Sequence, residues 1–379
     1  MQLSPEDTLR LNVLLASGPQ AIRIDESTMT VHALADRGEA RVALNPNCRG
    51  EVYLRRVREL LSGHVLGSPG GYPVYLRRWT RMGQARSDSL EQLLLLGESE
   101  AVVAVVHAAG LTDEIARRAW WAMPVAENAR QMLTRQSVVR GAMGPQLAEF
   151  LIEHLPFEEE ARDVIDSVRI VLQPGLVSEQ TRLALWRKGL QKNAYYVGFL
   201  LAVPDDLPER EGARADLAGL EGRLSSLGDR GNPAAVALRR LLSGPGQTFL
   251  RTVAEVLRRP ANQDVINLTF DAVAAYLAAV RPPGDPDADL DGVLVEVQAL
   301  LDGRAVGTAA LAGVRELIEA MPGLMPDLRA ALVLSRLGYP IVRPIFSRTT
   351  AIGSLMRRKL EPVTGSLLEA IGVLRGGRG

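Results

Sequence analysis

Cysteine is almost missing: Cys48 is the one thiol in 379 residues. A single thiol closes no intrachain disulfide and supplies no cysteine-rich metal site. Histidine is nearly as scarce, with only His32, His64, His107 and His154. No two of them stand at the i, i+4 spacing that lets a helix face hold zinc. Neither sign of charge dominates, because 44 basic residues face 44 acidic ones. Zero net charge argues against a strongly basic nucleic-acid binder, although a local basic patch is compatible with it. Lysine is reduced to Lys188, Lys192 and Lys359, and the other basic residues are arginines. That bias reads as genome composition rather than as selection for phosphate contacts.

Long apolar runs are also lacking. Residues 265–280 are interrupted by Asn267 and Asp271, and residues 195–203 are too few. Both fall short of the ~18–20 apolar residues that a spanning helix needs. Residues 1–10 carry Glu6 and Asp7 instead of a basic lead-in to an apolar core, so no secretory leader is expected. A cytoplasmic protein without membrane insertion is the expectation. The glycine-rich loop 63–73 lacks the Gly-Lys-Ser/Thr ending of a phosphate loop. A Gly-x-Ser-x-Gly elbow is absent, and residues 66–70 are only a partial echo of one. No acid–base, nucleophile or metal constellation emerges, so neither catalysis nor a cofactor is expected.

What is present is an ordinary globular composition, 47% apolar and 23% charged. At ~150 residues per domain, two or three domains are expected. Residues 1–85 read as a small α+β region. Ser4 and Pro5 open a short helix over Pro5–Ala16, with Leu9, Val13 and Ala16 on one side. Three β-rich runs follow, at 21–25, 29–34 and 40–44, separated by turn residues, and predict a small meander of two or three strands. Helical spacing returns over 49–61, and 74–79 reads as one more strand.

From residue 86 the pattern is almost wholly helical. Candidate helices include 125–140, 179–203, 263–280, 347–360 and 365–374, joined by Gly, Pro and Asn. The polar, proline-bearing segment 203–212 reads as a boundary, giving helical regions 86–205 and 213–379. Short helices on short turns predict a mainly α fold of HEAT-like stacked hairpins, an α-solenoid or a compact bundle.

Four features invite a functional reading. Asp287, Asp289, Asp291 and Gly292 match the first half of a calcium loop, but Gln298 stands where the bidentate glutamate belongs. Helix capping is the expected role of these aspartates. The stretch from Arg49 to Arg81 interleaves arginines with aromatics, with Arg77, Arg78, Trp79 and Arg81 as candidate contacts to RNA, DNA or protein. Trp120, Trp121 and Trp186 lie in helical segments beside arginines and are candidate interface anchors. Cys48, next to Arg49, is a candidate redox or sulfur site.

Several of these stretches carry a family likeness. Leu44-Asn-Pro-Asn-Cys48, the run from Tyr53 to His64, Gly67-Ser-Pro-Gly-Gly-Tyr-Pro-Val-Tyr75 and Arg77-Arg-Trp-Thr-Arg-Met-Gly83 resemble the DsrS family. Ser89-Leu-Glu-Gln-Leu-Leu-Leu-Leu-Gly97, Ala119-Trp-Trp-Ala-Met-Pro124, Trp186-Arg-Lys-Gly189 and Asn193-Ala-Tyr-Tyr196 extend the likeness. The resemblance implies a cytoplasmic accessory or regulatory protein of dissimilatory sulfur oxidation, encoded with the reverse-acting sulfite reductase pathway. It implies no enzymatic activity and brings no catalytic residues with it. The expected function is then a non-catalytic one, in which a helical surface binds a protein of that machinery or of its expression control. Two alternatives stay open: a nucleic-acid-binding regulator acting through the Arg49 to Arg81 region, and a sulfur-handling protein acting through Cys48.

Overall fold

The computed structural model describes residues 3–36, 38–73, 87–304, 309–348 and 352–377. The strand expected at 74–79 lies outside them. Among the described residues the fold is mainly helical, 66% helix in 20 helices, with one three-stranded antiparallel sheet near the N-terminus. Two compact units form, one of residues 1–156 and 173–177, the other of 157–172 and 178–379.

The first unit opens with α1 (Pro5–Ala16). The Ser4 hydroxyl accepts from the Asp7 amide at 3.1 Å, and Pro5 occupies the first turn, as the sequence predicts. The helix turns a different face inward than its Leu9–Val13–Ala16 side. Leu11, Leu14 and Leu15 are buried, while Leu9 and Val13 face solvent. Three leucines on one stripe remove more apolar surface from water than a Leu–Val–Ala set. The meander of β1 (Ala21–Asp25), β2 (Thr30–Ala35) and β3 (Gly38–Ala43) pairs in the order 1-2-3. Alternation places Ile22, Val31, Ala33 and Val42 against α1 and α2 (Gly50–Leu66), where Tyr53, Leu54, Val57 and Leu61 complete the core.

Asp7 is fully buried in this unit, accepting from the Asn45 amide at 2.8 Å and from the Tyr53 hydroxyl. Helices α3 (Ser87–Leu93), α4 (Ser99–His107), α5 (Asp113–Ala122), α6 (Ala126–Met132), α7 (Gln136–Val139) and α8 (Met143–His154) follow. The segment 125–140 is thus two short helices rather than one. Leu133 caps the first, and Thr134 and Arg135 turn the chain before the second.

The second unit begins with α9 (Ala161–Val171). It continues with α10 (Glu179–Lys188), α11 (Ala194–Ala202), α12 (Leu217–Asp229), α13 (Pro233–Leu242), α14 (Gly244–Arg258) and α15 (Gln263–Tyr276). It ends with α16 (Leu290–Leu301), α17 (Ala309–Ala320), α18 (Met325–Ser335), α19 (Tyr339–Phe346) and α20 (Gly353–Leu374). The apolar α11 is buried from Ala194 through Leu200. It lies close against α9 because Gly198 carries no side chain; a Cβ there would meet Val168 Cγ1 at 2.6 Å. The segment 179–203 is broken at 189–193 into α10 and α11. A Cβ on Gly189 would stand 2.3 Å from the Tyr196 ring, so the chain bends where that ring folds back. Residues 353–374 form one continuous helix across Pro362, where the sequence suggests two. Asp289 caps α16 by accepting from the Gly292 amide at 3.0 Å, which is the capping role expected of that loop.

Candidate interaction surfaces

The contact residues expected from sequence meet different fates. Arg77, Arg78, Trp79 and Arg81 lie outside the described residues. Upstream of them on α2, Arg56 is neutralised by Glu59 at 2.5 Å and Arg58 by Glu26, while Arg55 is exposed. Trp186 is no interface anchor. It is 3% exposed, with its ring 4.5 Å from Tyr196 and 5.1 Å from Phe199, because the Gly189 bend closes α11 over it. Cys48 is half-buried against the core of the first unit, its Sγ 3.7 Å from the Arg49 carbonyl oxygen.

Trp120 and Trp121 are both half-buried on α5. Trp120 sets its ring edge-on to Phe150 at 4.8 Å. Trp121 lies under the Arg23 guanidinium, 4.7 Å from the ring centroid. Arg23 pairs with Glu39 at 3.0 Å, and His32 Nδ1 is 2.7 Å from the same Glu39 oxygen. Three strands and one helix end therefore build a small aromatic–arginine patch on the outer face of the meander. Burial alone would raise the Glu39 carboxyl. The His32 hydrogen bond and the Arg23 charge outweigh it and hold Glu39 below its ordinary value. The patch is already internally paired, so a ligand would have to displace one of its own contacts.

Beside the patch, Glu114 binds Arg117 at 2.7 Å and Arg118 at 3.0 Å. The Arg117 hydrogen bond, foremost, and that of Arg118 pull the Glu114 carboxyl down to about 2 from its ordinary 4.5. Because the folded value is depressed, this contribution to stability is present above pH 4.5 and is lost as pH falls toward 2. Glu114→Gln should flatten the loss of stability across that window by lowering the neutral-pH midpoint toward the acid one, a small change because the pair is about half exposed. Urea midpoints measured down the pH series check it.

The second unit holds a feature that sequence reading did not single out. Helices α16, α18 and α20 leave an open groove of about 870 Å³ between them. Leu294, Leu301, Met325, Val333 and Val373 line it. Gln298, Arg329 and Glu369 border it, and all three are exposed. Met325 keeps 41% of its surface in water, and Val295 on α16 keeps 69%. An apolar floor with a polar rim is the anatomy of a protein–protein contact. The signal was present in α16, which carries more Leu and Val than one buried face of a 12-residue helix uses. Its Val293, Val297 and Leu300 go inward, leaving Leu294, Val295 and Leu301 over.

Among the described residues, no group of three or more His, Cys, Asp or Glu side chains is placed to hold a metal ion. No helix among them is long and apolar enough to cross a membrane. Comparison with family models, with curated proteins and with solved structures finds no match.

Proposed function

We propose that this chain is a non-catalytic accessory or regulatory protein of dissimilatory sulfur oxidation, and that it works by docking a partner protein on its helical unit. The observation that carries the reading is the α16–α18–α20 groove. Met325 to Val333 on α18 and Ser366 to Val373 on α20 border it. At 1.5 Å per residue each wall runs about 12 Å, room for about two turns of an added helix. The occupant is an amphipathic helix, whose apolar stripe covers Leu294, Met325 and Val333. Its flanks carry an acidic residue to meet Arg329 and a basic one to meet Glu369. In this reading the helical hairpins act as a HEAT-like stacked surface. The sulfur-oxidation context rests on the DsrS resemblance, which spans segments from Leu44 to Tyr196.

The test is an affinity pull-down from cells oxidising stored sulfur, comparing the native chain with a Leu294→Glu, Met325→Glu double variant. Both side chains reach solvent, so the variant should fold with an unchanged melting curve. Burying two carboxylates against an apolar stripe should lower recovery of a sulfur-oxidation protein about tenfold or more. Equal recovery would refute the docking site. Recovery of RNA in place of protein would favour the nucleic-acid reading.

A further inference from the structure

A second hollow in the helical unit has a different chemistry. It has a volume of about 420 Å³ and lies between the end of α14 and the middle of α20. Three arginines, Arg258, Arg357 and Arg358, line it around a floor of Leu257, Leu360 and Leu368. Several arginines elsewhere in this unit are tied down. Arg214 holds Asp327, Arg240 grips Asp205, Arg251 meets Glu209 and Glu211, and Arg375 pairs with Glu211. Among the described residues, Arg258, Arg357 and Arg358 have no carboxylate within 4.0 Å. Glu361 is the one acidic side chain lining the hollow.

The helix termini account for Arg258 but not for Arg357 and Arg358. Arg258 ends α14, where a helix dipole welcomes a cation. Arg357 and Arg358 sit in the second turn of α20, toward the end where the dipole favours anions. Lys359 and Arg259, the chain neighbours of Arg358 and Arg258, are exposed. Three like charges around one concavity repel one another until an anion enters. The backbone around Arg258 is held in place, since the Arg259 carbonyl accepts from Asn193 Nδ2 at 2.8 Å.

We propose that this hollow is a binding site for a small phosphate-bearing molecule. The planar guanidinium fork matches phosphate oxygens in bidentate fashion, and arginine is always charged at cellular pH. The volume suits a small ligand. The leucine floor lets the ligand carry an apolar or aromatic part, which separates a nucleotide-like molecule from free phosphate. Glu361 opposes the anion and limits affinity.

The experiment is calorimetric titration of the full chain with inorganic pyrophosphate and, separately, with adenosine monophosphate, in low and in physiological salt. Pyrophosphate binding that weakens with salt is expected. Tighter binding of the mononucleotide assigns the leucine floor to the base. An Arg258→Gln, Arg357→Gln, Arg358→Gln variant should lose about tenfold or more in affinity, as expected for removing charge-assisted hydrogen bonds. Arg258→Gln alone should lose part of that and guards against misfolding of the triple variant. Glu361→Gln should bind about two- to threefold more tightly, since it removes the acidic side chain that lines the hollow. Failure of both ligands to bind at millimolar concentration would overturn the proposal, as would equal binding by the triple variant. Neither result touches the α16–α18–α20 groove.

Discussion

Replacing Arg214 with alanine should lower the unfolding free energy of the helical unit by about 3–5 kcal/mol, the cost of leaving a buried charge without its partner. The Arg214 side chain is 9% exposed and that of Asp327 8%. The guanidinium holds Asp327 on α18, binds Asp216 at 2.7 Å, and reaches the Val373 carbonyl at 3.3 Å near the end of α20. Burial alone would lower the affinity of Arg214 for its proton. Hydrogen bonds to Asp216 and Asp327 overcome that and raise it. Truncation strands the Asp327 carboxylate in the core and removes a cation from the carbonyl end of α20. Arg214→Lys keeps a charge but not the fork, and should recover part of the loss. Urea unfolding followed by far-UV circular dichroism measures both. A loss below about 1 kcal/mol would place this pair among ordinary surface ion pairs.

Phe249→Ala should cost a similar amount, about 3–5 kcal/mol, through lost burial and an unfilled cavity. Phe249 is fully buried and stacks on Tyr276, with centroids 4.0 Å apart and planes 11° from parallel. Tyr276 in turn lies under the Arg240 guanidinium at 3.6 Å and donates its hydroxyl to Asp205 at 2.7 Å. Burial, foremost, and the Asp205 hydrogen bond push the Tyr276 phenol well above its ordinary value, so it stays protonated and donating. Losing Phe249 frees the ring that this chain of contacts rests on. Phe249→Leu keeps most of the volume and should cost less than about 1.5 kcal/mol. The ratio of the two losses separates cavity formation from loss of the aromatic stack.

The Arg240–Asp205 contact also explains what periodicity could not read. Residues 203–212 are polar and proline-bearing, which in sequence marks a boundary. In the fold their carboxylates are used: Asp205 meets Arg240, Glu209 and Glu211 meet Arg251, and the Glu211 amide donates to Thr248 at 2.9 Å. Partners 35 to 42 residues away leave no local signature. Local signals fared better. Ser4 with Pro5 caps the helix that follows, as read from the sequence, because a cap is a contact within three residues. The meander was legible for the same reason, through alternation and turn residues.

Helix faces and exposure were legible only in part. Leu9 and Val13 share a side of α1 with ideal spacing yet face solvent, because a richer stripe competes on the same helix. Trp186 and Trp121 both sit near arginines in sequence. Trp186 is sealed in by a bend three to seven residues later in the chain, whereas Trp121 is left half-open by a strand almost 100 residues earlier. The surplus Leu and Val of α16 hinted at an open face, but the groove's shape was not legible, for a third reason. It is built from α16, α18 and α20 together, and a hollow is a property of three helices rather than of any one.

The measurement closest to the central claim places a photo-reactive amino acid at Met325 and irradiates the tagged chain in cells oxidising stored sulfur. Mass spectrometry then locates the crosslinked residue on whatever is captured. The predicted result is a crosslink within a helical segment of a sulfur-oxidation protein, its apolar stripe flanked by an acidic and a basic residue, and lost when Leu294 is glutamate. A Met325 probe that captures nothing, while the same probe at Trp121 captures a protein, would contradict the account and move the interaction to the first unit.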